Sequence, residues 1–172
     1  LVGLTYGLQG GEVVACHPTF DFMLAYAERL GCNWARTPLT STYQYDLNGL
    51  DKACGSNTKL IFVCNPNNPT GTYVEPAELL QFVRAVPRHA LVVLDEAYFE
   101  YSRSIPLQNG IEWLADCPNL VIVRTFAKAY GLAGLRIGYA VSHPAVADML
   151  NRIRQPFNVS SVALAAAAAA LD

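Results

Sequence analysis

The chain has 172 residues and a mass of 18.7 kDa, and 12 Lys plus Arg against 14 Asp plus Glu give a formal net charge of −2. This balance predicts no electrostatic attraction to nucleic acid or to an anionic membrane surface. Charged residues are only 15% of the total and apolar residues are 52%, which is the composition of a protein interior rather than of an extended polar chain.

Neither a membrane-spanning segment nor a metal site is predicted. No apolar run reaches the roughly 18 residues that a spanning helix needs, and the start of the chain, which lacks Met, has no recognisable export signal. The five cysteines are Cys16, Cys32, Cys54, Cys64 and Cys117. Their number is odd, and none is placed as CxxC or near a histidine at ligand spacing. We therefore expect a soluble cytoplasmic protein with free thiols.

Short β-branched runs alternate with helical patterns, which predicts an α/β fold with a mostly parallel sheet built from crossover units. In chain order the predicted elements are a strand at 12–16, a helix at 21–30, a weaker strand at 33–37, a short helix at 46–53, a strand at 60–64, a helix that starts at Pro76, a strand at 91–94, a short helix near 111–115, strands at 120–123 and 138–141, and helices at 144–153 and 162–171. The last helix is rich in alanine, and we expect it to be packed or connecting.

Each of the three strongest apolar runs is followed by polar or ionisable residues that could bind a ligand or take part in catalysis. Open parallel sheets bind ligands at the carboxyl ends of their strands. The run 60–64 leads into a turn with two Asn-Pro steps that includes Asn68, although a plain connection between strand and helix is the better explanation of that turn taken alone. The run 91–94 leads to Asp95, a carboxylate that needs a cation or several donors if it is buried, unless it caps a helix. The run 120–123 leads to Lys128.

Lys128 is one of only three lysines, and it lies between aromatic residues with two arginines near it in sequence. Desolvation and positive neighbours both favour a neutral amine, which suits Schiff-base chemistry. An ion pair with Asp95 or Glu96 is the alternative. Taken together, the strand ends supply an amine, a buried acid, amide and phenol donors, and phosphate-binding groups, which are the groups that pyridoxal 5'-phosphate requires.

Three ordered segments, Cys64–Gly71, Leu94–Tyr101 and Thr125–Tyr139, resemble the class I and II aminotransferases of the aspartate-aminotransferase-like fold. Within that fold they look most similar to the histidinol-phosphate aminotransferases, which act in histidine biosynthesis. The resemblance implies a three-layer α/β/α domain with a mostly parallel sheet. It also implies pyridoxal 5'-phosphate as cofactor, an amino donor and a 2-oxo acid acceptor as substrates, and a homodimer.

The resemblance also implies a role for each of seven residues. Lys128 would bind the cofactor covalently and then carry the proton between the substrate α-carbon and the cofactor. Asp95 would pair with the pyridine nitrogen, and Asn68 and Tyr98 with the 3' oxygen of the ring. Thr125 and Arg136 would hold the phosphate. Phe20 matches the aromatic residue that stacks on the ring, although a core phenylalanine explains it nearly as well.

The chain departs from the family at one residue and in its extent. Ala127 stands where the family commonly has a serine before the lysine, which predicts the loss of one hydroxyl contact to the phosphate. Family members are about twice as long. We therefore expect residues 1–172 to be most of the large cofactor-binding domain, truncated at both ends and without the C-terminal small domain. We expect this piece to be inactive and prone to association by itself.

Other functions stay open from the sequence alone. Aromatic aminotransferases and phosphothreonine decarboxylases share the same motifs, and the residues that distinguish them mostly lie outside this chain. A pyridoxal-phosphate-binding regulatory domain is an alternative of another class. A nicotinamide dinucleotide binder is disfavoured, because no GxGxxG follows the first strand.

Overall fold

Six strands form one sheet in the computed structural model, which describes residues 10–102 and 107–172. The strands are β1 Glu12–His17, β2 Asn33–Pro38, β3 Thr58–Cys64, β4 Leu91–Asp95, β5 Leu120–Thr125 and β6 Gly138–Ser142. Their order across the sheet is β2-β1-β3-β4-β5-β6. Each predicted strand is confirmed and is one or two residues longer than the apolar run that indicated it.

The α-helices connect or follow these strands. They are α1 Phe22–Arg29, α2 Leu47–Ala53, α3 Pro76–Ala85, α4 Pro144–Ile153 and α5 Ser161–Ala169. Three 3-10 helices, Phe99–Tyr101, Gly110–Trp113 and Ala133–Leu135, complete the described elements. The short helix predicted near 111–115 is the 3-10 helix Gly110–Trp113, and the other two 3-10 helices were not predicted.

Four of the five strand pairs are parallel, and only β5 and β6 are antiparallel. Crossover connections in such sheets are right-handed, so α1, which leads back towards the β2 edge, lies on the face opposite to α2 and α3. Helices on both faces give the three-layer α/β/α architecture that was predicted. The strand β6 reverses direction because only a loop with one 3-10 turn joins it to β5, with no crossover helix.

The core lies along the central strands. The stretches Val13–Cys16 of β1 and Leu60–Val63 of β3 are fully buried, as are the first residues of β5. Continuous burial follows from cover on both faces, which explains why these strands appear in the sequence as unbroken apolar runs.

A second, smaller cluster supports the loop that follows β5. Ala163 and Ala167 of α5 pack there against Phe126 and Ile137. Alanine permits this close approach, and the expectation of a packed alanine helix is confirmed. Among residues 10–102 and 107–172, no helix has both the length and the apolar character needed to cross a membrane.

Candidate active site

The carboxyl ends of β3, β4 and β5 meet at one edge of the sheet. Cys64 pairs with Asp95, and Asp95 pairs with Val123, so the three strands end side by side. A cavity of about 830 Å³ opens at this edge. All seven residues predicted from the sequence line it: Phe20, Asn68, Asp95, Tyr98, Thr125, Lys128 and Arg136. The structure therefore brings together residues that span 116 positions of the chain.

Asp95 is the buried acid of this cavity, with 5% of its surface exposed. Its Oδ1 accepts a hydrogen bond from the backbone N–H of Ala97 at 3.0 Å, which forms a local turn rather than a helix cap. Burial, with a smaller contribution from the neighbouring charge of Glu96, raises the pKa of Asp95 to about 6. The carboxylate thus has fewer donors than its burial predicted, and the charge of Lys128 offsets only part of the effect of burial on its pKa.

Asn68 and Tyr98 stand beside each other at the cavity wall. The side-chain amide of Asn68 donates to the hydroxyl oxygen of Tyr98 at 3.3 Å. In that arrangement the hydroxyl proton of Tyr98 and the second amide proton of Asn68 remain available. The pair can therefore donate two hydrogen bonds to a single oxygen atom of a ligand.

Lys128 is exposed at the mouth of the cavity, so the predicted desolvation of its amine is wrong. Its Nζ lies 5.3 Å from the centre of the Tyr98 ring, within the range of a cation–π contact. In the described part of the chain the recorded ion pairs do not include Lys128. The alternative of a structural ion pair with Asp95 or Glu96 is therefore also wrong.

Thr125 and Arg136 flank the same end of the cavity. The hydroxyl oxygen of Thr125 accepts from the backbone N–H of Ala127 at 3.0 Å, so its proton can be donated to a ligand. Arg136 adopts a left-handed backbone conformation with φ of 54°, which is unfavourable for a residue with a Cβ. Its guanidinium donates to the carbonyl oxygen of Ala133 at 2.9 Å. Such local strain is characteristic of residues that surrounding structure holds for binding.

Two phenylalanines also line the cavity. Phe20 is 41% exposed and Phe22 is 66% exposed. Phe20 is therefore not a core residue, which removes the alternative left open from the sequence. An exposed ring at a cavity wall is positioned to cover a flat ligand.

The lining residues that were not predicted from the sequence include Cys64, Arg124, Tyr139 and Leu150. Cys64 is the last residue of β3, and its position opposite Asp95 follows only from the strand register. Burial raises the pKa of its thiol to about 12. Cys64 therefore lines the cavity as an uncharged thiol and does not act as a nucleophile.

A buried ion pair supports the loop after β4. The Nε of Arg124 donates to the Glu96 carboxylate at 2.8 Å, and its Nη2 donates to the side-chain oxygen of Asn109 at 2.7 Å. Glu96 also accepts from the backbone N–H of Gly110 at 3.1 Å. Both side chains of the pair are less than a tenth exposed. The loop that follows Asp95 and carries Tyr98 is thereby tied to β5.

Replacing Arg124 by leucine should reduce the free energy of unfolding by about 3–5 kcal/mol, because the Glu96 carboxylate would remain buried without its cation. Urea unfolding of the full-length protein measures the effect. The matched control is Arg84→Ala, which breaks the exposed pair with Asp116 and should cost less than about 1 kcal/mol. Equal losses from the two substitutions would contradict this assignment.

A model of the family described as aminotransferase class I and II matches residues 3–172. The chain is 56% identical over 161 residues to histidinol-phosphate aminotransferase 1 of Nitrosococcus oceani, which covers 94% of the chain and 43% of the relative. It is 48% identical over 163 residues to the aromatic amino acid aminotransferase of Rhodococcus erythropolis, with 95% of the chain and 45% of the relative covered.

Solved structures give the same result for the fold. The histidinol-phosphate aminotransferase of Sinorhizobium meliloti in complex with pyridoxal-5'-phosphate superposes with a TM-score of 0.90 at 37% identity. The match covers 99% of this chain and 47% of that structure. The chain thus spans about half the length of the relatives that it matches.

Proposed function

This chain belongs to the aminotransferase class I and II family, and from that premise we propose that it forms the pyridoxal-phosphate-binding part of a histidinol-phosphate aminotransferase. The observation that carries the proposal is the meeting of Lys128, Asp95 and the Asn68–Tyr98 pair around one cavity. An amine, a buried acid and two convergent donors are separate requirements of this cofactor, and separate segments of the chain meet them here.

The residues at the cavity fit pyridoxal 5'-phosphate chemically. Asp95 is a buried carboxylate whose recorded hydrogen bond comes from a single backbone N–H, so it suits a protonated ring nitrogen. Asn68 and Tyr98 suit the 3' oxygen of the ring, because both have protons to donate. Thr125 and Arg136 suit the phosphate, since a hydroxyl and a guanidinium both donate to its oxygens.

The cofactor supplies an electron-withdrawing ring that stabilises negative charge at the α-carbon of an amino substrate. Asp95 would keep the ring nitrogen protonated, which would sustain that withdrawal. Lys128 would take the proton from the substrate α-carbon as general base and then, as general acid, deliver it to the C4′ carbon of the cofactor. Phe20 would cover the ring and exclude water from it.

Histidinol phosphate is the proposed amino donor, with 2-oxoglutarate as the 2-oxo acid acceptor. The identity of 56% to the enzyme of Nitrosococcus oceani supports this choice over other amino compounds. An aromatic amino acid is the second candidate, because the relative from Rhodococcus erythropolis is 48% identical. We propose the same cytoplasmic homodimer that the sequence resemblance implies, and the free state of all five cysteines supports a reducing compartment.

An amino-donor screen on the full-length protein tests the proposal. The protein, supplied with pyridoxal phosphate and 2-oxoglutarate, should form glutamate from histidinol phosphate with a higher kcat/KM than from phenylalanine or tyrosine. The reverse order would assign the second candidate function. No glutamate from any of these donors would contradict both.

Ala127→Ser should tighten binding of pyridoxal phosphate. Ala127 is half-buried and lines the cavity next to Thr125, where a serine would add a hydroxyl donor for the phosphate. One hydrogen bond to a charged group is worth about 1.5 kcal/mol, which corresponds to a dissociation constant lower by roughly tenfold. Titration of the cofactor-free full-length protein with pyridoxal phosphate measures it.

The control for that titration is Ala129→Ser, which adds the same hydroxyl at an exposed residue that does not line the cavity. Its dissociation constant should equal that of the original protein. A result in which both serine variants bind equally would show that residue 127 does not reach the phosphate.

A further inference from the structure

A buried chain of hydrogen bonds connects two loops that carry site residues. One loop follows β1 and bears Phe20, and the other follows β3 and bears Asn68. Between them lie Thr19, Tyr45 and Asn67, which we call the Thr19–Tyr45–Asn67 chain. None of its three members lines the cavity, so any effect on the site passes through other residues.

The distances show a continuous path. The Thr19 hydroxyl lies 2.8 Å from the Asn67 amide oxygen and 2.5 Å from the Tyr45 hydroxyl. The Tyr45 oxygen also accepts from the backbone N–H of Cys64 at 3.2 Å. Asn67 continues the path through its amide nitrogen, which donates to the carbonyl oxygen of Pro18 at 3.2 Å and to the hydroxyl of Thr70 at 2.9 Å.

Each proton in this chain has one allowed place. The amide oxygen of Asn67 can only accept, so the single hydroxyl proton of Thr19 is donated to it. Tyr45 must therefore donate to the Thr19 oxygen while it accepts from Cys64. Reversing the Asn67 amide would set its oxygen against the carbonyl oxygen of Pro18, so its orientation is fixed as well.

The Thr19–Tyr45–Asn67 chain is buried away from solvent. The exposed fractions are 7% for Thr19, 5% for Tyr45 and 3% for Asn67. Burial raises the pKa of Tyr45 above its usual value, so the phenol remains a donor. In such surroundings the loss of Thr19 leaves the hydroxyl proton of Tyr45 and the amide oxygen of Asn67 buried without a partner, and water does not readily replace it.

We propose that the Thr19–Tyr45–Asn67 chain is a positioning device that fixes Phe20 relative to Asn68 across the cofactor cavity. Phe20 follows Thr19 directly, and Asn68 follows Asn67 directly, so the bond between the Thr19 hydroxyl and the Asn67 amide sets the separation of the two loops. This inference rests on the proposed function, because it concerns how these two loops bind pyridoxal phosphate.

The test is Thr19→Val in the full-length protein, which keeps the shape of the side chain and removes its hydroxyl. The first readout is the dissociation constant of pyridoxal phosphate, which should rise about tenfold, as expected when two buried partners lose a hydrogen bond. The second is the pH midpoint of the visible absorbance band that this cofactor acquires on binding to Lys128. With Asn68 displaced, the 3' oxygen of the ring loses a hydrogen-bond donor and becomes more basic. The nitrogen that joins Lys128 to the cofactor then keeps its proton, which it shares with that oxygen, to higher pH, so the midpoint should rise.

Two further variants separate positioning from general stability. Thr19→Ser keeps the hydroxyl and should restore both readouts. Thr37→Val is the matched control, because Thr37 is a buried threonine whose hydroxyl bonds to Ala15 and Cys16 and to no member of the Thr19–Tyr45–Asn67 chain. It should lower the thermal midpoint of the cofactor-free protein without changing either readout.

The outcomes distinguish the inference from the function on which it rests. If Thr19→Val shifts only the thermal midpoint, as Thr37→Val does, the positioning role is wrong. Should Thr19→Val not fold, Tyr45→Phe replaces it: a weaker affinity and a raised midpoint support the inference, and unchanged values overturn it. An original protein with no Lys128-dependent band overturns the proposed function itself, and the inference with it.

Discussion

Replacing Lys128 by alanine should abolish both the visible absorbance band of added pyridoxal phosphate and the transamination activity of the full-length protein. Among the residues that the structure describes, Lys128 provides the only amine that lines the cavity, and the other cations there are the guanidinium groups of Arg124 and Arg136, which are poor nucleophiles. Within residues 10–102 and 107–172, no other lining group therefore combines a nucleophilic nitrogen with the capacity to carry a proton. The rate should fall by at least roughly 10³-fold.

Two variants give this prediction its controls. Lys128→Arg keeps the positive charge but neither the nucleophile nor the proton carrier, so it should be as inactive as Lys128→Ala. Lys52→Ala removes an exposed lysine of α2 and should leave the band and the rate unchanged. Retention of activity in Lys128→Arg would show that the site uses Lys128 only as a charge.

The elements that position the site follow from local sequence. The runs Leu60–Cys64, Leu91–Leu94 and Leu120–Val123 predicted the three central strands because burial on both faces requires unbroken apolar residues. Once those strands are adjacent and parallel, the residues after them must share one edge. The meeting of Asn68, Asp95 and the Lys128 loop is thus a consequence of sheet topology together with strand ends that can be predicted.

Contacts between polar side chains that are distant in sequence were not predictable in the same way. Glu96 was considered as a partner of Lys128, whereas it pairs with Arg124, which the strand β5 carries into the interior. The exposure of Lys128 was missed because aromatic neighbours in sequence do not determine which way a loop turns. The bond from Thr19 to Asn67 spans 48 positions and leaves no periodic signal in the sequence.

Asp95→Asn should make the cofactor-free protein more stable at pH 7 while it removes most of the activity. In the folded protein the pKa of Asp95 is raised from 3.8 to about 6, chiefly by burial. The folded state therefore binds more protons than the unfolded state between these two values, and stability falls as pH rises through them. At pH 7 the ionised carboxylate lowers the free energy of unfolding by about 3 kcal/mol, whereas an asparagine in its place carries no charge and can still accept the Ala97 N–H.

Urea unfolding at two pH values measures this effect. The difference between Asp95→Asn and the original protein should be largest at pH 7 and should become small near pH 4, where Asp95 is protonated in the folded state. Asp116→Asn is the matched control, because its carboxylate is exposed and pairs with Arg84 at the surface, so it should change stability by less than about 1 kcal/mol. A loss of stability in Asp95→Asn that is equal at both pH values would contradict the assigned cause.

Added pyridoxal phosphate should reverse that order. A protonated ring nitrogen would give the ionised Asp95 a cation at contact distance, so the cofactor should stabilise the original protein more than the asparagine variant. Transamination should fall by roughly 10²-fold or more in Asp95→Asn, because a neutral amide does not keep that nitrogen protonated. The burial that destabilises the cofactor-free protein is therefore what makes Asp95 bind the cofactor strongly. An exposed carboxylate would already be hydrogen-bonded to water, and its interaction with the protonated ring nitrogen would contribute little binding free energy.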